Sequence, residues 1–327
     1  MSAALITGGG GFCGLNIAEH LLGQGRRVVL YGVDEPPAQA LAALRTLPGV
    51  LLVEQGDVRD KAALEQAMAR HDVDELVHAA AITASLQTEQ RAPARILDVN
   101  LLGTIAVLEA ALGRGVRRLV CLSSGVVFGS SVKKAGLLDE DRDIPVPESL
   151  YAISKYAAER AALRYRQSRG LDVVVLRVGT AFGRWEYSSG VRDTLSVPYS
   201  LWHMARQGKE AVFTPELPTD WVYGDDVARA VALLLQAASC RHGLYQVATG
   251  ASWSVPQWCD LLQTEFPAFV YRCTSCRDQA NVGVPAPTAR PPFSVARLEQ
   301  EFGYKAQYRE QAAFDDYMQW RLEYPVW

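Results

Sequence analysis

Tyr151 and Lys155 stand four residues apart in Tyr-Ala-Ile-Ser-Lys, at the start of a stretch with helical spacing. On a helix that spacing puts the phenol and the ammonium on one face, about 5–6 Å apart at Cβ. A cation so close favours phenolate over phenol and lowers a tyrosine pKa from its ordinary value near ~10. Tyr151 can then act as an acid–base group at neutral pH. On most helices such residues form only a surface pair, so the weight of this one depends on its company. Ser123 and Ser124 end an apolar run at 119–122. Open parallel sheets bind ligands at the carboxyl ends of their strands. A hydroxyl placed there can hydrogen-bond an oxygen that changes between alcohol and ketone. Either serine alone reads as simple strand termination.

Residues 7–14 read Thr-Gly-Gly-Gly-Gly-Phe-Cys-Gly. Gly9, Gly11 and Gly14 satisfy G-x-G-x-x-G, and Gly8, Gly11 and Gly14 satisfy G-x-x-G-x-x-G. Both registers describe a tight turn, backbone close to a pyrophosphate, and a helix N-terminus aimed at its charge. The motif follows an apolar strand and opens a helix, the context that gives it force. No Gly-Lys-Ser/Thr follows, which disfavours a P-loop. A dinucleotide site also wants a carboxylate near the end of the second strand, for the adenosine ribose. Asp34 is the candidate, slightly late after 28–31. No basic residue lies in 32–44 to hold a 2′-phosphate, although Arg26 and Arg27 precede the strand. The pattern favours NAD, with NADP second. After the third strand, Asp57 in Gly-Asp-Val falls where adenine should lie.

The elements that must position these groups alternate along the first half. Short apolar runs at 3–7, 28–31, 50–53, 75–78, 119–122 and 173–176 alternate with helical stretches at 12–22, 38–44, 62–69, 94–112 and 150–169. That pattern predicts an α/β fold, a doubly wound parallel sheet with helices on both faces. Past residue 179 the pattern changes. All seven tryptophans lie from Trp185 onward. A helix at 226–235 and a strand at 244–247 resemble the first half again. The expected division is a dinucleotide-binding lobe of 1–178 and 219–250, and a smaller, discontinuous substrate lobe of 179–218 and 251–327. Most of the tryptophans are expected to pack that lobe.

Composition excludes several classes. Apolar residues make up 49% and charged residues 21%, and 33 Lys and Arg against 36 Asp and Glu give a formal charge of −3. There is enough apolar surface to offset chain entropy, and no global pull toward nucleic acid. No apolar run approaches the ~20 residues that span a bilayer; the best candidate is 227–238. The N-terminus reads as a buried strand and not as a signal peptide. Six scattered cysteines predict a reducing, cytoplasmic setting. Cys273 and Cys276 form one C-x-x-C with no second pair or histidines nearby, so no metal is expected.

The motifs together carry a resemblance. Thr-Gly-x-x-Gly-x-x-Gly, Gly56-Asp57-Val58, Val77-His78-Ala79-Ala80, Asn100 in Val-Asn-Leu-Leu-Gly-Thr, Leu-Ser-Ser-Gly-Val-Val-Phe-Gly at 122–129 and Tyr151-x-x-x-Lys155 occur in order. So do Asp220-Trp221-Val222-Tyr223-Gly224-Asp225-Asp226 and Arg290-Pro291-Pro292. The chain resembles the extended short-chain dehydrogenase/reductase family, in its NAD-dependent epimerase/dehydratase branch. The resemblance implies a Rossmann lobe, a tightly held NAD, and redox chemistry on a carbohydrate-like alcohol or ketone. It carries catalytic roles onto Ser124, Tyr151 and Lys155. It implies cofactor contacts from Gly8, Gly11, Phe12, Gly14, Asp34, Asp57, Val58, Ala79, Ala80 and Asn100, with Tyr151 and Lys155. It also implies a homodimer built on helices near 94–112 and 150–169.

Departures from the family pattern narrow the reaction. Dehydratases carry an Asp-Glu pair just after the catalytic Ser/Thr; here the place is Gly125-Val126, so dehydration is not expected. Thr219 stands where nucleotide-sugar members carry an arginine for the diphosphate, and Thr180 replaces a substrate-contacting asparagine. Arg290 is retained. Substrate contacts are therefore expected from Ser124, Thr180, Arg184, Arg192 and Arg290, with weak binding of UDP-sugars. The reading is an epimerase or dehydrogenase of a sugar-derived substrate. The alternatives are a nucleotide-sugar 4-epimerase proper and a non-catalytic dinucleotide sensor.

Overall fold

The computed structural model describes residues 3–131, 136–188, 193–215, 218–283 and 291–325. The chain opens with β1 (Ala3–Thr7), α1 (Phe12–Gly23), β2 (Arg27–Gly32), α2 (Ala38–Leu44), β3 (Val50–Gln55), α3 (Lys61–His71) and β4 (Val73–His78). Then come α4 (Leu86–Arg91), α5 (Pro93–Leu97), a π turn at Asp98–Leu102, α6 (Gly103–Arg114) and β5 (Arg118–Ser124). A 3₁₀ turn (Gly125–Phe128) leads on to α7 (Leu150–Arg169) and β6 (Val173–Val178). β1 matches its apolar run, and β2 to β6 extend one to three residues beyond theirs, where polar ends are paired. Arg118, fully buried in β5, donates to the Asp172 carboxylate at 2.8 Å and to the Leu234 carbonyl.

Seven strands form one parallel sheet in the order β3-β2-β1-β4-β5-β6, completed by a late strand, β10 (Leu244–Val247), beside β6. The order reverses between β1 and β4, where open sheets form a crevice. Alternation sorts the side chains. Ala4 and Ile6 of β1 join the core under α1, while Ala3 and Leu5 join the core under α3 and α6. The helix expected at 94–112 is interrupted by the π turn. With it, the stretch Pro93–Arg114 is 22 residues long and apolar enough to cross a membrane by length and composition. The expectation that no segment reaches that length is corrected here. One face of the stretch packs in the core: Val107, Leu108, Ala110 and Ala111 are buried with Leu64 and Met68 of α3.

After β6 come β7 (Thr180–Phe182), α8 (Val197–Arg206), β8 (Ala211–Phe213), β9 (Trp221–Tyr223) and α9 (Gly224–Gln236). Following β10 are α10 (Val255–Glu265), β11 (Tyr271–Cys273), α11 (Ala296–Phe302) and α12 (Glu310–Glu323). β7 pairs with β9 and β8 with β11, while α9 packs on α1. The tryptophans pack this region: Trp221, Trp253 and Trp258 stack in sequence at 5.1 Å, and Trp185 meets Trp320 edge-on at 5.2 Å. Asp220 joins distant loops, accepting from the Thr249 hydroxyl at 2.6 Å and the Phe293 N–H at 3.0 Å.

Candidate active site

A cavity of about 610 Å³ opens at the carboxyl ends of β1, β4, β5 and β6. Gly8, Gly11, Phe12, Cys13 and Gly14 form one wall, and Ala79, Ser124, Tyr151, Lys155 and Thr180 face it. The glycine turn is there because nothing larger fits. Gly8 has φ +66°, and a Cβ on it would lie 2.7 Å from the Ala80 backbone; one on Gly14 would lie 2.3 Å from the Gly8 carbonyl. Gly11 is the N-cap of α1 and supplies no side-chain cap. An anion at this turn would face the positive end of the α1 dipole. This is the cradle that a dinucleotide pyrophosphate needs.

The reactive groups are placed by capping and by burial. Ser149 caps α7, its hydroxyl accepting the Ala152 N–H at 3.1 Å, which sets Tyr151 in the first turn. Tyr151 is half-buried. Lys155, one turn on, is buried and donates to the Leu122 carbonyl of β5. Burial pushes its ammonium down to about 8. Ser124 Oγ accepts the Val126 N–H at 3.2 Å, which leaves its O–H to donate. Ser123 differs: its hydroxyl donates to Glu159, the carboxylate of a buried ion pair with Arg177 at 2.7 Å. Beneath the turn, His78 bridges Thr7 at 2.8 Å and Thr104 at 2.9 Å. Burial pushes His78 down to about 3, so the ring is neutral.

Other expected residues stand around the cavity. Asn100 sits on the π turn. It accepts the Ile82 N–H at 2.8 Å and donates to the Ile82 carbonyl and to Ser154 Oγ, both at 3.0 Å. It thus fixes the loop after β4 against α7, a use typical of π bulges. Val58 is buried against Gly103, and Ala80 lies over Gly8. Asp57 pairs with Arg59, whose hydrogen-bonded guanidinium holds its carboxyl below the ordinary value. Asp34 is exposed beyond β2. None of these five lines the cavity.

Arg184 is not brought into the cavity either. Its guanidinium pairs with Asp316 and reaches Glu19 at 3.8 Å. Arg192 and Arg290 lie outside the described residues. The cavity also takes Cys13, Thr83, Tyr187, Ser196, Trp221 and Arg277, which sequence reasoning did not select. Cys13 was within the glycine motif and Trp221 within the motif that begins at Asp220; the others come from separate segments with no local pattern to mark them. Among the described lining residues the cations are Lys155 and Arg277, and there is no carboxylate.

Known proteins bear on this geometry. The family model described as NAD dependent epimerase/dehydratase matches residues 4–248. A putative UDP-glucose 4-epimerase of Methanocaldococcus jannaschii is 27% identical, over 80% of this chain and 81% of that protein. The UDP-glucose 4-epimerase of Thermotoga maritima, solved with UDP-glucose, superposes with a TM-score of 0.82 at 23% identity, over 99% of each chain. That of Thermus thermophilus, solved with NAD, superposes at 0.78 with 26% identity, over 97% of this chain and 98% of that one. With the parallel sheet and the glycine cradle, these matches establish that the chain belongs to the NAD-dependent epimerase/dehydratase family of extended short-chain dehydrogenases/reductases.

Proposed function

We propose that this enzyme oxidises and reduces a secondary alcohol carbon of an anionic sugar derivative, as an epimerase or dehydrogenase and not as a dehydratase. The observation that carries the reading is the convergence of Ser124, Tyr151 and Lys155 with the glycine turn on one cavity. NAD, when bound, supplies the hydride acceptor. Its pyrophosphate fits the glycine turn at the start of α1. Tyr151 takes the substrate hydroxyl proton, Ser124 donates to the same oxygen, and Lys155 supplies positive charge beside the phenol. Two cations without a carboxylate in the lining support an anionic substrate. The epimerase form is supported by the relatives, several of which are named as UDP-sugar 4-epimerases.

Dehydration is disfavoured at Gly125. A Cβ there would lie 2.2 Å from the Phe293 ring, so the acidic residue that a dehydratase needs has no room. NAD over NADP is supported by Arg26, which is tied to the buried Glu75 and is not available for a 2′-phosphate. The cavity's position supports the division into 1–178 with 219–250 and 179–218 with 251–327. Exposed Leu102 and Ile153 support a homodimer through the helical stretches near 94–112 and 150–169.

The test is a panel of sugar nucleotides, sugar acids and hydroxy acids, scored for copurified nucleotide, turnover without added NAD, and product stereochemistry. Inversion at one carbon with retained nucleotide is the expected result. Weak UDP binding is expected from Thr219, whose backbone pairs with Trp253 at 3.1 Å where the family pattern has an arginine. A dehydrated product, or no turnover across the panel, would overturn the reading.

A further inference from the structure

The described residues after β7 are fastened to α1 and to the glycine turn. The Arg184 carbonyl accepts from Asn16 of α1 at 2.8 Å, and Trp185 Nε1 donates to Glu19 of the same helix at 2.9 Å. Trp185 is fully buried with φ +62°, a backbone state rare for a bulky residue and one that its surroundings must enforce. Glu186 accepts both the N–H and the hydroxyl of Ser196, at 2.7 and 2.6 Å, fixing another wall of the cavity. Between these anchors Tyr187 lines the cavity, and its hydroxyl donates to the Gly10 carbonyl at 2.8 Å. Asp34 lies close enough for its charge to act on that phenol.

Tyr187 therefore joins three things at one point: the segment after β7, the glycine turn, and the carboxylate expected at the adenosine ribose. Tyr187 and the glycine turn line the same cavity, so a dinucleotide held along the turn would lie beside the Tyr187–Gly10 hydrogen bond. We propose that Tyr187 is a positioning residue that clamps the glycine turn and sets how fast the dinucleotide leaves the cavity. The clamp favours keeping one nucleotide through successive turnovers, as an epimerase must. It rests on the NAD-dependent reading above.

The experiment uses nucleotide dissociation and no substrate. Protein loaded with labelled NAD is chased with excess unlabelled NAD. Tyr187→Phe, which removes only the hydroxyl, should release nucleotide about 2- to 10-fold faster, the effect of one net hydrogen bond. Tyr187→Ala, which also removes the ring, should release it faster still. The melting temperature of nucleotide-free Tyr187→Phe should fall by no more than a few degrees, the share of one hydrogen bond, which separates a clamp from a general loss of structure. Release from Tyr187→Phe at the wild-type rate overturns the clamp and leaves the proposed reaction standing. Failure of the whole substrate panel on a protein that shows the accelerated release would do the opposite.

Discussion

Replacing Tyr151 by Phe isolates the proton transfer. Few groups in the cavity can take its place. Lys155 is buried and spends a hydrogen on the Leu122 carbonyl; the Tyr187 hydroxyl is bonded to Gly10; Arg277 is no base at neutral pH. Ser124 keeps a hydroxyl, but its oxygen already accepts from Val126. The chemical step should therefore lose close to the full weight of general acid–base catalysis, about 10²–10⁴-fold, or about 2.7–5.5 kcal/mol of barrier. The ring remains and packs as before, so nucleotide binding should change little. The assay is a single turnover followed by nucleotide absorbance, with the substrate found in the panel, alongside titration of NAD into Tyr151→Phe and Lys155→Met. Lys155→Met should damage both binding and rate. A Tyr151→Phe protein that turns over at nearly the wild-type rate would refute the reasoning, as would one that loses NAD as severely as the lysine variant.

Three further outcomes follow from particular contacts. Lys155 has a folded pKa near 8 against an ordinary 10.5, because burial disfavours its charge. Its ammonium penalises folding in full below pH 8, and the penalty fades as pH rises to 10.5. The nucleotide-free Lys155→Met protein should gain melting temperature relative to wild type at pH 7, with the gap narrowing toward pH 10; a gap that does not change with pH would contradict this. Gly125→Asp should cost about 3 kcal/mol in urea unfolding, the upper end of overpacking, because the buried Phe293 ring must shift to admit the side chain; an unchanged midpoint would remove the steric argument against dehydration. Calorimetry should give tighter binding of NAD than of NADP. A clear NADP preference would show that Arg26 gives up Glu75 for the 2′-phosphate, or that Arg27 holds it.

Much of the sheet was legible because buried parallel strands are continuous apolar runs, and their ends can be misplaced by only a residue or two. Tyr151, Lys155, Ser124 and the glycines were legible because their chemistry is local in sequence. Arg184 was not. Its partner Asp316 lies 132 residues away, and no local pattern says whether an arginine meets a ligand or a carboxylate. The interruption at Asp98–Leu102 was hidden for a related reason. A π turn adds one residue to a helix, and the short apolar stretches on either side of it still read as one helix in sequence. Tyr187 and Arg277 come from segments whose order in space is set by the packing of Trp185, Trp221 and their neighbours, which periodicity does not encode.

The late arrival of β10 has a consequence for biosynthesis. β6 and β10 pair through Leu244↔Val175 to Val247↔Val178, yet residues 179–243 separate them. A ribosome emits chains from the N-terminus, and domains generally fold as they emerge. Six strands can assemble while β6 still presents an open edge, and Val173–Val178 is a buried strand with one charged residue, Arg177. Such an edge is a template for pairing with another chain. The opposite face of α1 waits as long, since α9 packs on it only after Gln236 has been made. The nascent protein thus passes through a stage with a bare strand edge and a bare helix face together, and slow translation between residues 179 and 247 would prolong its exposure to aggregation and its dependence on chaperones.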